Sequence, residues 1–325
     1  MIDSVASMRL LVTGGTGMTG QWCLHYLNDL ATKAGTEVQV LLLTRRPQTE
    51  TVERIKALGH LTVLPITIND LRDTMRDLRP SHVWHFAADT SSGSERQLES
   101  LRRADFDIAR LILEAVSSQS SSTHFLYTSS GAVYGRNRQS STPVTESHPV
   151  SSIGTPNLDP YDTVKLETEQ LLVNGGGVPG LTTGICRLFA FVGPLVPTNA
   201  HFAIGNFLGN AARGEPIVMK STGSDVRSWL YCADLARYIV NLTFLSQNYI
   251  VNVGSRESFS IREAAYLVSR IAGVAVRQEL LPVHQAAPSY YLPDVTYLDE
   301  LVHLDSLLSL EESLRVTLRW LRDTN

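Results

Sequence analysis

The sequence predicts an α/β protein with a doubly wound parallel sheet and a smaller C-terminal lobe. Short apolar runs alternate along the chain with longer segments whose apolar residues recur at the 3.6-residue period of a helix. Such alternation is typical of right-handed crossovers between parallel strands that are buried on both faces. The length of 325 residues favours two domains. We expect them over 1–189 and 190–325, with some later elements returning to the first.

The apolar runs place the elements in order. Six strands are predicted, at Met8–Val12, Val38–Leu43, Leu61–Ile66, His82–Phe86, His124–Tyr127 and Thr183–Phe189. Helices are predicted near 18–33, 70–78, 96–117, 160–174, 201–213, 232–245, 260–271 and 309–323. The helix near 160 has a clear start, because Asp159 is a good N-cap and Pro160 suits the first helical position. Residues 136–158, rich in Ser, Thr, Pro and Asn, are predicted to form a long surface loop.

The composition excludes several classes of protein. A hydrophobic fraction of 43% and a charged fraction of 18% exclude a disordered chain. The net charge of −4 argues against a nucleic-acid or membrane-surface partner. No apolar run approaches the ~20 residues of a membrane span, and the N-terminus lacks a signal pattern, so we expect a cytoplasmic protein. The scattered Cys23, Cys186 and Cys232 predict reduced thiols and no metal site.

A glycine-rich turn follows the first predicted strand. Gly14, Gly17 and Gly20 recur at three-residue spacing between that strand and the first helix. The first glycine permits a tight turn, the second lets the backbone approach a pyrophosphate, and the third lets helix and strand pack closely. The backbone amides of Met18, Thr19 and Gly20 would then bind the anion at the helix N-terminus. The turn therefore predicts a dinucleotide-binding site, since a plain connection does not require three glycines.

The end of the second predicted strand indicates which dinucleotide binds. A carboxylate there would accept a hydrogen bond from the 2′-hydroxyl of the adenosine ribose and favour NAD. This chain has Thr44, Arg45 and Arg46 instead, and guanidinium groups suit the 2′-phosphate of NADP. We therefore expect NADP, with NAD as the alternative if the two arginines are only a solvated basic pair.

Tyr161 and Lys165 lie four residues apart on a predicted helix, so their side chains emerge on one face. Lowering the pKa of a tyrosine from ~10 to ~7 requires about 4 kcal/mol of preferential phenolate stabilisation. An ammonium ~4 Å away supplies about that much at an effective dielectric constant of ~20. The pair predicts a general base near neutral pH. The same spacing also arises by accident between surface residues of a helix.

The fifth predicted strand ends in hydroxyl groups, within the run Tyr127–Gly135. Ligands of open parallel sheets bind beyond the carboxyl ends of the strands. Ser130, with Ser129 as the second choice, is therefore placed to hydrogen-bond a sugar oxygen over the cofactor. Ordinary turn chemistry is the alternative for both serines.

Together these motifs resemble the extended short-chain dehydrogenase/reductases, within them the NAD-dependent epimerase/dehydratase family that acts on nucleotide sugars. The matching motifs span about residues 8–240 and are the glycine turn, Asn69–Asp73, His85–Ala88, Ser129–Gly135, Tyr161 with Lys165, Arg187–Pro194 and Arg227–Asp234. The resemblance implies a Rossmann fold, a nicotinamide cofactor and a nucleotide-diphosphate sugar as substrate. It also implies hydride transfer at C4 of the sugar, by a 4-epimerase or a 4-ketoreductase.

The resemblance assigns roles around the cofactor. Asp70 would accept a hydrogen bond from the adenine amino group, and Leu71 would pack on the adenine ring. Ala87 and Ala88 would lie against the cofactor, because larger side chains would crowd it. Lys165 would hold the nicotinamide ribose.

The resemblance also assigns roles around the substrate. Tyr161 would be the catalytic base, oriented by Lys165, and Ser130 would fix the substrate hydroxyl. Arg227 would neutralise the diphosphate, an anion that suits a bidentate guanidinium. Phe202 and Tyr290, or the neighbouring Tyr291, would line the nucleotide pocket.

Two departures from the family pattern narrow the reaction. Sugar dehydratases of this family place an acid pair directly after the catalytic hydroxyl residue, but this chain has Gly131 and Ala132 there. A dehydratase is therefore disfavoured. The usual Asn after Arg187 is Ala190, so a contact to the sugar or phosphate must differ. The alternatives left open are a dehydratase, a decarboxylase of the same family, and a non-catalytic dinucleotide sensor.

The helix predicted at 96–117 carries an apolar stripe that indicates how two copies of the chain could associate. The stripe consists of Leu98, Leu101, Ile108, Leu111 and Ala115. With the helix at 160–174 it would form a four-helix interface, as is common in this family, so we expect a homodimer. Alternatively, the stripe simply covers the sheet.

Overall fold

The computed structural model describes residues 5–86, 95–119, 121–135, 140–151, 159–199, 202–279 and 287–324. The chain forms two compact units that are each discontinuous in sequence. Unit 1 comprises Met1–Val133, Pro149–Arg187 and Ala236–Val251, and unit 2 comprises Tyr134–His148, Leu188–Leu235 and Asn252–Asn325. Residues 134–148 thus belong to unit 2 and residues 236–251 to unit 1. Whether two independent domains divide at 189/190 stays a prediction.

Seven parallel strands form the central sheet. The strands of the chain are β1 (Arg9–Thr13), β2 (Val38–Leu43), β3 (Leu61–Ile66), β4 (His82–His85), β5 (Thr123–Ser130), β6 (Leu181–Leu188), β7 (Phe191–Val192), β8 (Ile217–Met219), β9 (Val226–Arg227), β10 (Leu230–Tyr231), β11 (Tyr249–Val253), β12 (Phe259–Ser260), β13 (Val276–Gln278) and β14 (Tyr290–Tyr291). The central sheet has the order β11–β6–β5–β4–β1–β2–β3. The strand order reverses between β1 and β4, and open α/β sheets bind ligands at such a reversal.

Helices connect the strands. They are α1 (Met18–Ala34), α2 (Glu50–Lys56), α3 (Leu71–Leu78), α4 (Glu95–Ala104), α5 (Phe106–Ser117), α6 (Pro160–Asn174), α7 (Ala203–Ala212), α8 (Cys232–Leu242), α9 (Ile261–Ala272), α10 (Thr296–Leu301) and α11 (Leu310–Thr324). The doubly wound α/β fold predicted from the sequence is confirmed. Within the described residues, no helix is both long and apolar enough to cross a membrane.

Strands and helices both contribute side chains to the apolar core around the central sheet. Leu11, Val83 and Phe125 contribute from β1, β4 and β5, and Ile112 and Leu172 contribute from α5 and α6. Each of these side chains is fully buried. Full burial of β1, β4 and β5 explains why their sequences are continuous apolar runs rather than alternating ones.

The single helix predicted over 96–117 is wrong, because the structure has two helices that meet at Asp105. The backbone of Asp105 has φ −117° and ψ −76°, which departs from helical geometry. Its side chain is 2% exposed and points into unit 1 rather than to solvent. A local apolar pattern does not register such a break, because the contacts that cause it come from distant residues.

The helices α2 and α10 and the strands β7 to β14 were not predicted. The helix α2 begins after Thr49, whose hydroxyl accepts a hydrogen bond from the Val52 amide at 3.3 Å. The helix α10 has six residues, and β11 has five. Segments this short carry little periodicity, so their assignment depends on the neighbours against which they pack.

Unit 2 contains small sheets and three longer helices. Strands β12, β9 and β14 form one sheet, in which β14 is parallel and β12 antiparallel to β9. Strands β7 and β10 pair, as do β8 and β13. The helix α9 begins with a capping box, in which Ser260 and Glu263 satisfy each other's backbone amides.

Candidate functional site

The glycine turn lies between the end of β1 and the start of α1. Gly14 has a φ of +67°, and its carbonyl oxygen accepts from the Gly17 amide at 3.0 Å. A Cβ atom at Gly20 would lie 2.5 Å from both the Gly14 oxygen and the Gly15 Cα. A side chain at position 20 is therefore excluded by the backbone of the turn itself.

A fourth glycine, Gly15, is closely packed in this turn. A Cβ at Gly15 would lie 2.5 Å from the Leu42 Cδ1 atom of β2. Analysis of the sequence missed this position because it does not belong to the three-residue spacing. The adjacent pair Gly14–Gly15 was the available signal, since consecutive glycines indicate a backbone that packs closely.

The turn fits the pyrophosphate of a dinucleotide. The N-cap of α1 is Gly17, which has no side chain to satisfy the first-turn amides. The amides that open the helix, including those of Met18 and Thr19, therefore have the polarity that an anion requires. Gly17 is exposed, so the backbone at the start of the helix is accessible, which is the feature that the predicted cofactor site needs.

The residues assigned to the adenosine end lie after β2 and β3. Arg45 is exposed directly after β2. The Oδ2 atom of Asp70 accepts from the Thr67 amide at 3.0 Å and from its hydroxyl at 2.7 Å, and these hydrogen bonds lower the pKa of Asp70. Leu71 is only 3% exposed and belongs to the apolar core. Ala87 and Ala88 lie outside the described residues.

The structure brings Tyr161 and Lys165 together on α6. The helix starts as expected, because the Asp159 carboxylate accepts from the Tyr161 amide at 2.9 Å and Pro160 occupies the first turn. The Lys165 Nζ atom lies 5.7 Å from the centre of the Tyr161 ring. Lys165 is 1% exposed and donates to the Thr128 carbonyl oxygen at 2.8 Å. The ammonium is thereby fixed near the carboxyl end of β5.

Asp105 is a charged residue of this site that analysis of the sequence missed. Its Oδ2 atom lies 2.7 Å from the Lys165 Nζ atom and accepts from the Tyr127 hydroxyl at 3.2 Å. Burial alone would raise the pKa of Asp105, but Lys165 and His85 outweigh it and the pKa is lowered. The carboxylate and the ammonium therefore form a buried ion pair. A lone Asp inside a helical pattern gave no signal beyond its unfavourable helix propensity.

His85 connects this ion pair to the glycine turn. Its Nδ1 atom lies 2.6 Å from the Thr13 hydroxyl, and its Nε2 atom lies 3.0 Å from the main-chain oxygen of Asp105. The strand register places Thr13 opposite His85 and His85 opposite Tyr127. Adjacent carboxyl ends of β1, β4 and β5 thus hold one continuous polar network.

Ser130 and Ser129 end β5 and differ in their surroundings. The Ser130 hydroxyl is 3.2 Å from the Ala132 amide and accepts its hydrogen bond. The Ser129 hydroxyl is buried and has no hydrogen-bond partner among the described residues. Both side chains are under 9% exposed. The structure places Ser130 at the carboxyl end of the strand that also fixes Lys165, where the sequence predicted it.

A second buried ion pair lies one turn further along α6. The Glu169 carboxylate accepts from the Arg187 Nε atom at 3.0 Å and from its Nη2 atom at 2.6 Å. This bidentate pair joins α6 to β6, and both residues are at most 5% exposed. Because the carboxylate and the guanidinium satisfy each other between α6 and β6, we interpret it as a structural pair.

Arg227 lies on β9 in unit 2. Its guanidinium donates to the main-chain oxygens of Val226 and Ser289 at 2.9 Å and 3.0 Å and to the Ser289 hydroxyl at 3.1 Å. Burial lowers the pKa of Arg227, while Asp225 and Tyr291 oppose that effect. The guanidinium is thus held in one orientation by the backbone of β9 and the segment that precedes β14.

The aromatic residues assigned to the nucleotide pocket also lie in unit 2. Phe202 is 46% exposed and precedes the first residue of α7. Tyr290 pairs with Val226 in the sheet and is partly exposed. Tyr291 packs on Phe189 with ring centres 4.6 Å apart, and its hydroxyl donates to the Leu188 carbonyl oxygen at 3.3 Å.

Comparison with known proteins defines the class. The sequence profile of the NAD dependent epimerase/dehydratase family matches residues 10–254. A UDP-glucose 4-epimerase of Azospirillum brasilense is 29% identical over 84% of this chain and 80% of its own. A UDP-glucuronic acid decarboxylase 1 of Xenopus tropicalis is 24% identical over 97% of this chain and 72% of its own.

Solved structures agree on the fold. A UDP-glucose 4-epimerase from Thermotoga maritima superposes with a TM-score of 0.82 at 23% identity, over 98% of this chain and 99% of its own. A UDP-glucuronic acid 4-epimerase from Bacillus cereus, in complex with UDP-glucuronic acid and NAD, gives a TM-score of 0.80 at 20% identity over 98% and 100%.

The profile match defines an enzyme of a nicotinamide-dinucleotide-dependent family. The profile match covers most of the chain, so it belongs to the NAD dependent epimerase/dehydratase family. The resemblance predicted from the motifs is thereby confirmed.

Proposed function

We propose that this enzyme is an NAD(P)-dependent nucleotide-sugar oxidoreductase that transfers a hydride at C4 of a nucleotide-linked hexose. The observation that carries the proposal is the fixed ammonium of Lys165, 5.7 Å from the Tyr161 ring and bonded to the strand that ends at Ser130. The relatives named above as 4-epimerases support the same chemistry. The two candidate reactions are 4-epimerisation and 4-ketone reduction.

The chain's own residues move the proton. Tyr161 takes the proton of the C4 hydroxyl when the sugar is oxidised and returns it when the C4 ketone is reduced. Ser130 donates to, or accepts from, the same oxygen and orients it. Lys165 has three N–H groups, two of which bond to Thr128 and Asp105, so one is left for a ribose hydroxyl. The bound nicotinamide ring supplies the hydride acceptor or donor.

NADP is the favoured form of the cofactor, with NAD as the alternative. Within 44–46, directly after β2, the chain presents a threonine and two exposed arginines, Arg45 and Arg46, rather than a carboxylate. A guanidinium suits the 2′-phosphate of NADP. The glycine turn would hold the pyrophosphate through the amides of Met18 and Thr19, since the Gly17 amide already donates to the Gly14 carbonyl oxygen. Asp70 would lie at the adenine, whereas Leu71 is 3% exposed and offers the ring little surface.

The nucleotide-diphosphate sugar would contact residues of unit 2. Arg227 would bind the diphosphate, because its guanidinium is half-buried and held in place by Ser289. Phe202 and Tyr290 present aromatic surface that suits a base or a sugar face.

A decarboxylase is the second candidate. Relatives from Xenopus tropicalis and Danio rerio, both described as UDP-glucuronic acid decarboxylase 1, are 24% identical over 97% and 96% of this chain. Oxidation at C4 of a uronic acid makes the C6 carboxylate β to a ketone, so carbon dioxide leaves readily. The same Tyr161 and Lys165 would serve this reaction.

The deciding experiment combines the purified enzyme with a panel of nucleotide-linked hexoses, 4-keto hexoses and uronic acids. A 4-epimer formed without net cofactor consumption identifies an epimerase, and stoichiometric NADPH oxidation by a 4-keto sugar identifies a reductase. Release of carbon dioxide identifies a decarboxylase. Firm dinucleotide binding without turnover of any substrate would contradict the proposal and favour a non-catalytic sensor.

A homodimer in the cytoplasm stays a prediction. In the stripe that suggested the dimer, Leu101 is 2% exposed, whereas Ile108, Leu111 and Ala115 are partly buried against the core. The stripe therefore covers the core of unit 1, and its partly exposed members remain available to a second copy. Size-exclusion chromatography with light scattering measures the oligomeric state. A mass of one chain would contradict the dimer.

A further inference from the structure

Asp105 is the buried carboxylate that the proposed chemistry does not use. It lies between α4 and α5 and is 2% exposed. Its Oδ2 atom contacts the Lys165 ammonium at 2.7 Å, and the Tyr127 hydroxyl donates to the same atom at 3.2 Å. The Lys165 Nζ atom also lies 4.7 Å from the centre of the Tyr127 ring. The carboxylate therefore lies in direct contact with the cation that is expected to activate Tyr161.

His85 holds Asp105 from the other side. The Nε2 atom of His85 is 3.0 Å from the Asp105 main-chain oxygen and 3.2 Å from its Oδ1 atom. The Oδ1 atom makes no hydrogen bond among the described residues, so the ring N–H is directed to the main-chain oxygen. The Thr13 hydroxyl lies 2.6 Å from the Nδ1 atom on the other side of the ring. Both the backbone and the carboxylate of Asp105 are thus fixed.

We propose that Asp105 is a positioning residue that anchors Lys165 and reduces the positive charge acting on the Tyr161 phenol. The proposal rests on the role of Tyr161 in the proposed function. Asp105 holds the ammonium at the Thr128 carbonyl oxygen, and its negative charge opposes the ammonium's stabilisation of a phenolate. An ammonium without a counterion would favour the phenolate more strongly than this pair does.

The other charged groups around α6 are engaged elsewhere. Arg102 of α4 pairs with Glu167, and Arg110 of α5 pairs with Asp107 and Glu114. Arg187 of β6 pairs with Glu169. Asp162 is buried on α6 itself, next to Tyr161. Of the described groups, the carboxylate in contact with the Lys165 ammonium is Asp105, with His85 and Tyr127 as its neighbours.

The chemical consequence concerns the resting form of Tyr161. Reduction of a C4 ketone requires a phenol, because the new C4 oxygen takes the phenolic proton as hydride arrives at carbon and a phenolate is left. Oxidation of the C4 hydroxyl requires a phenolate, which takes the hydroxyl proton as hydride leaves the carbon. By reducing the net positive charge, Asp105 keeps more of Tyr161 in the phenol form and favours the reductive direction at neutral pH.

Asp105→Asn tests the proposal without requiring a known substrate. The phenolate of Tyr161 is titrated by ultraviolet difference absorbance, as the spectrum of each protein minus that of the same protein carrying Tyr161→Phe. We expect the midpoint of Tyr161 to fall by about one pH unit in Asp105→Asn, because a nearby unit charge has been removed. An unchanged midpoint in the folded variant would overturn the proposal.

A second comparison covers the case in which Asp105→Asn does not fold because Lys165 becomes an unpaired buried cation. Lys165→Met is compared with the double variant Asp105→Asn/Lys165→Met, in which both charges are absent. The Tyr161 phenol titrates in the alkaline range in both proteins. In that range Asp105, which remains in Lys165→Met, is ionised. We expect a higher Tyr161 midpoint in the single variant, and equal midpoints would refute the charge effect.

Asp107→Asn is the matched control. Asp107 lies two residues away on α5, is 43% exposed and pairs with Arg110. Its neutralisation should leave the Tyr161 midpoint unchanged, and a shift as large as that of Asp105→Asn would show that the effect is not specific to the ion pair. Failure to turn over any nucleotide sugar would remove the proposed function but not this result, because the titration reads the phenol directly.

Discussion

The two ends of β4 and β5 carry polar side chains that are held in different states. At the carboxyl end, His85 and Tyr127 are register partners and surround the ion pair of Asp105 and Lys165. At the amino end, His82 and His124 are register partners, with ring centres 6.3 Å apart. Among the described residues, the ion pair of Asp105 and Lys165 lies at the carboxyl end of these strands.

The amino end is a neutral arrangement. Burial, with a smaller contribution from Arg9, lowers the pKa of His82 to about 4. Burial, with a smaller contribution from His82, lowers the pKa of His124 to about 3. The Nδ1 atom of His124 lies 2.9 Å from the Thr182 hydroxyl, and that of His82 lies 2.9 Å from the Ser81 hydroxyl. Hydroxyl partners satisfy the rings without supplying a countercharge.

The difference shows what burial does to an ionisable group. Burial alone disfavours the charged form, so the two histidines are neutral at pH 7. Burial together with an opposite charge preserves both ions, as in Asp105 and Lys165. The same two strands therefore hold a passive end and an end whose electrostatics can act on a substrate.

Removal of the Tyr161 hydroxyl is the largest expected effect and tests whether the carboxyl end is the active one. Tyr161→Phe should lower turnover by about 1,000-fold or more, because general acid–base catalysis is lost while the buried network stays intact. Steady-state kinetics on a substrate found with the panel of nucleotide sugars measures the change. Tyr266→Phe, at a side chain 56% exposed on α9, is the control. Retained turnover in Tyr161→Phe would rule out the assigned acid and base.

A further large effect is expected from breaking the structural ion pair on α6. Glu169→Gln leaves Arg187 as a buried unpaired cation, so the free energy of unfolding should fall by about 3–5 kcal/mol. Glu99→Gln on α4, in an ion pair with Arg103 whose side chains are 73% and 74% exposed, should cost about 1 kcal/mol or less. Urea unfolding followed by circular dichroism measures both. Equal losses would show that the buried and the exposed ion pair contribute equally to stability.

The amino end predicts an acid sensitivity. The folded-state pKa of His82 and of His124 lies below the unfolded value of about 6.5, so the unfolded state binds protons first as the pH falls. Stability is therefore fully present above pH ~6.5 and should fall by about 2 kcal/mol for a single ring between pH 7 and pH 5.

His124→Gln tests this acid sensitivity by removing one titrating ring while keeping an acceptor for Thr182. The fall in the free energy of unfolding between pH 7 and pH 5 should become smaller, as measured by urea titrations at both pH values. His303→Gln, at an exposed side chain, should keep the full fall. An unchanged slope in His124→Gln would mean that the amino end is not the acid-sensitive region.

The smallest expected effect concerns the cofactor. Arg45→Ala should weaken NADP binding about tenfold and change NAD binding by about twofold or less, because only NADP carries a 2′-phosphate. Arg54→Ala, another exposed arginine on α2, is the matched control. Calorimetric titration with each dinucleotide measures the difference. Equal weakening of both would assign Arg45 to a general electrostatic effect.

Much of the fold and part of the site could be predicted from local features of the sequence. The predicted strands follow from continuous apolar runs, which are typical of a sheet buried on both faces. The edge strand β3 is the exception, since its Leu64 side chain is 53% exposed. The start of α6 follows from Asp159 and Pro160, whose capping roles depend on adjacent backbone groups. The spacing of Tyr161 and Lys165 also placed them on one face, because helix geometry is local.

The fold class, the glycine turn and the hydroxyl, phenol and ammonium groups could be predicted because each is encoded in a short stretch of chain. The break between α4 and α5 and the partner of Lys165 depend on tertiary contacts. Asp105 and Lys165 are 60 positions apart in sequence and meet at 2.7 Å through the packing of separate elements. Long-range electrostatics of this kind have no local pattern, because they depend on which elements the sheet brings side by side.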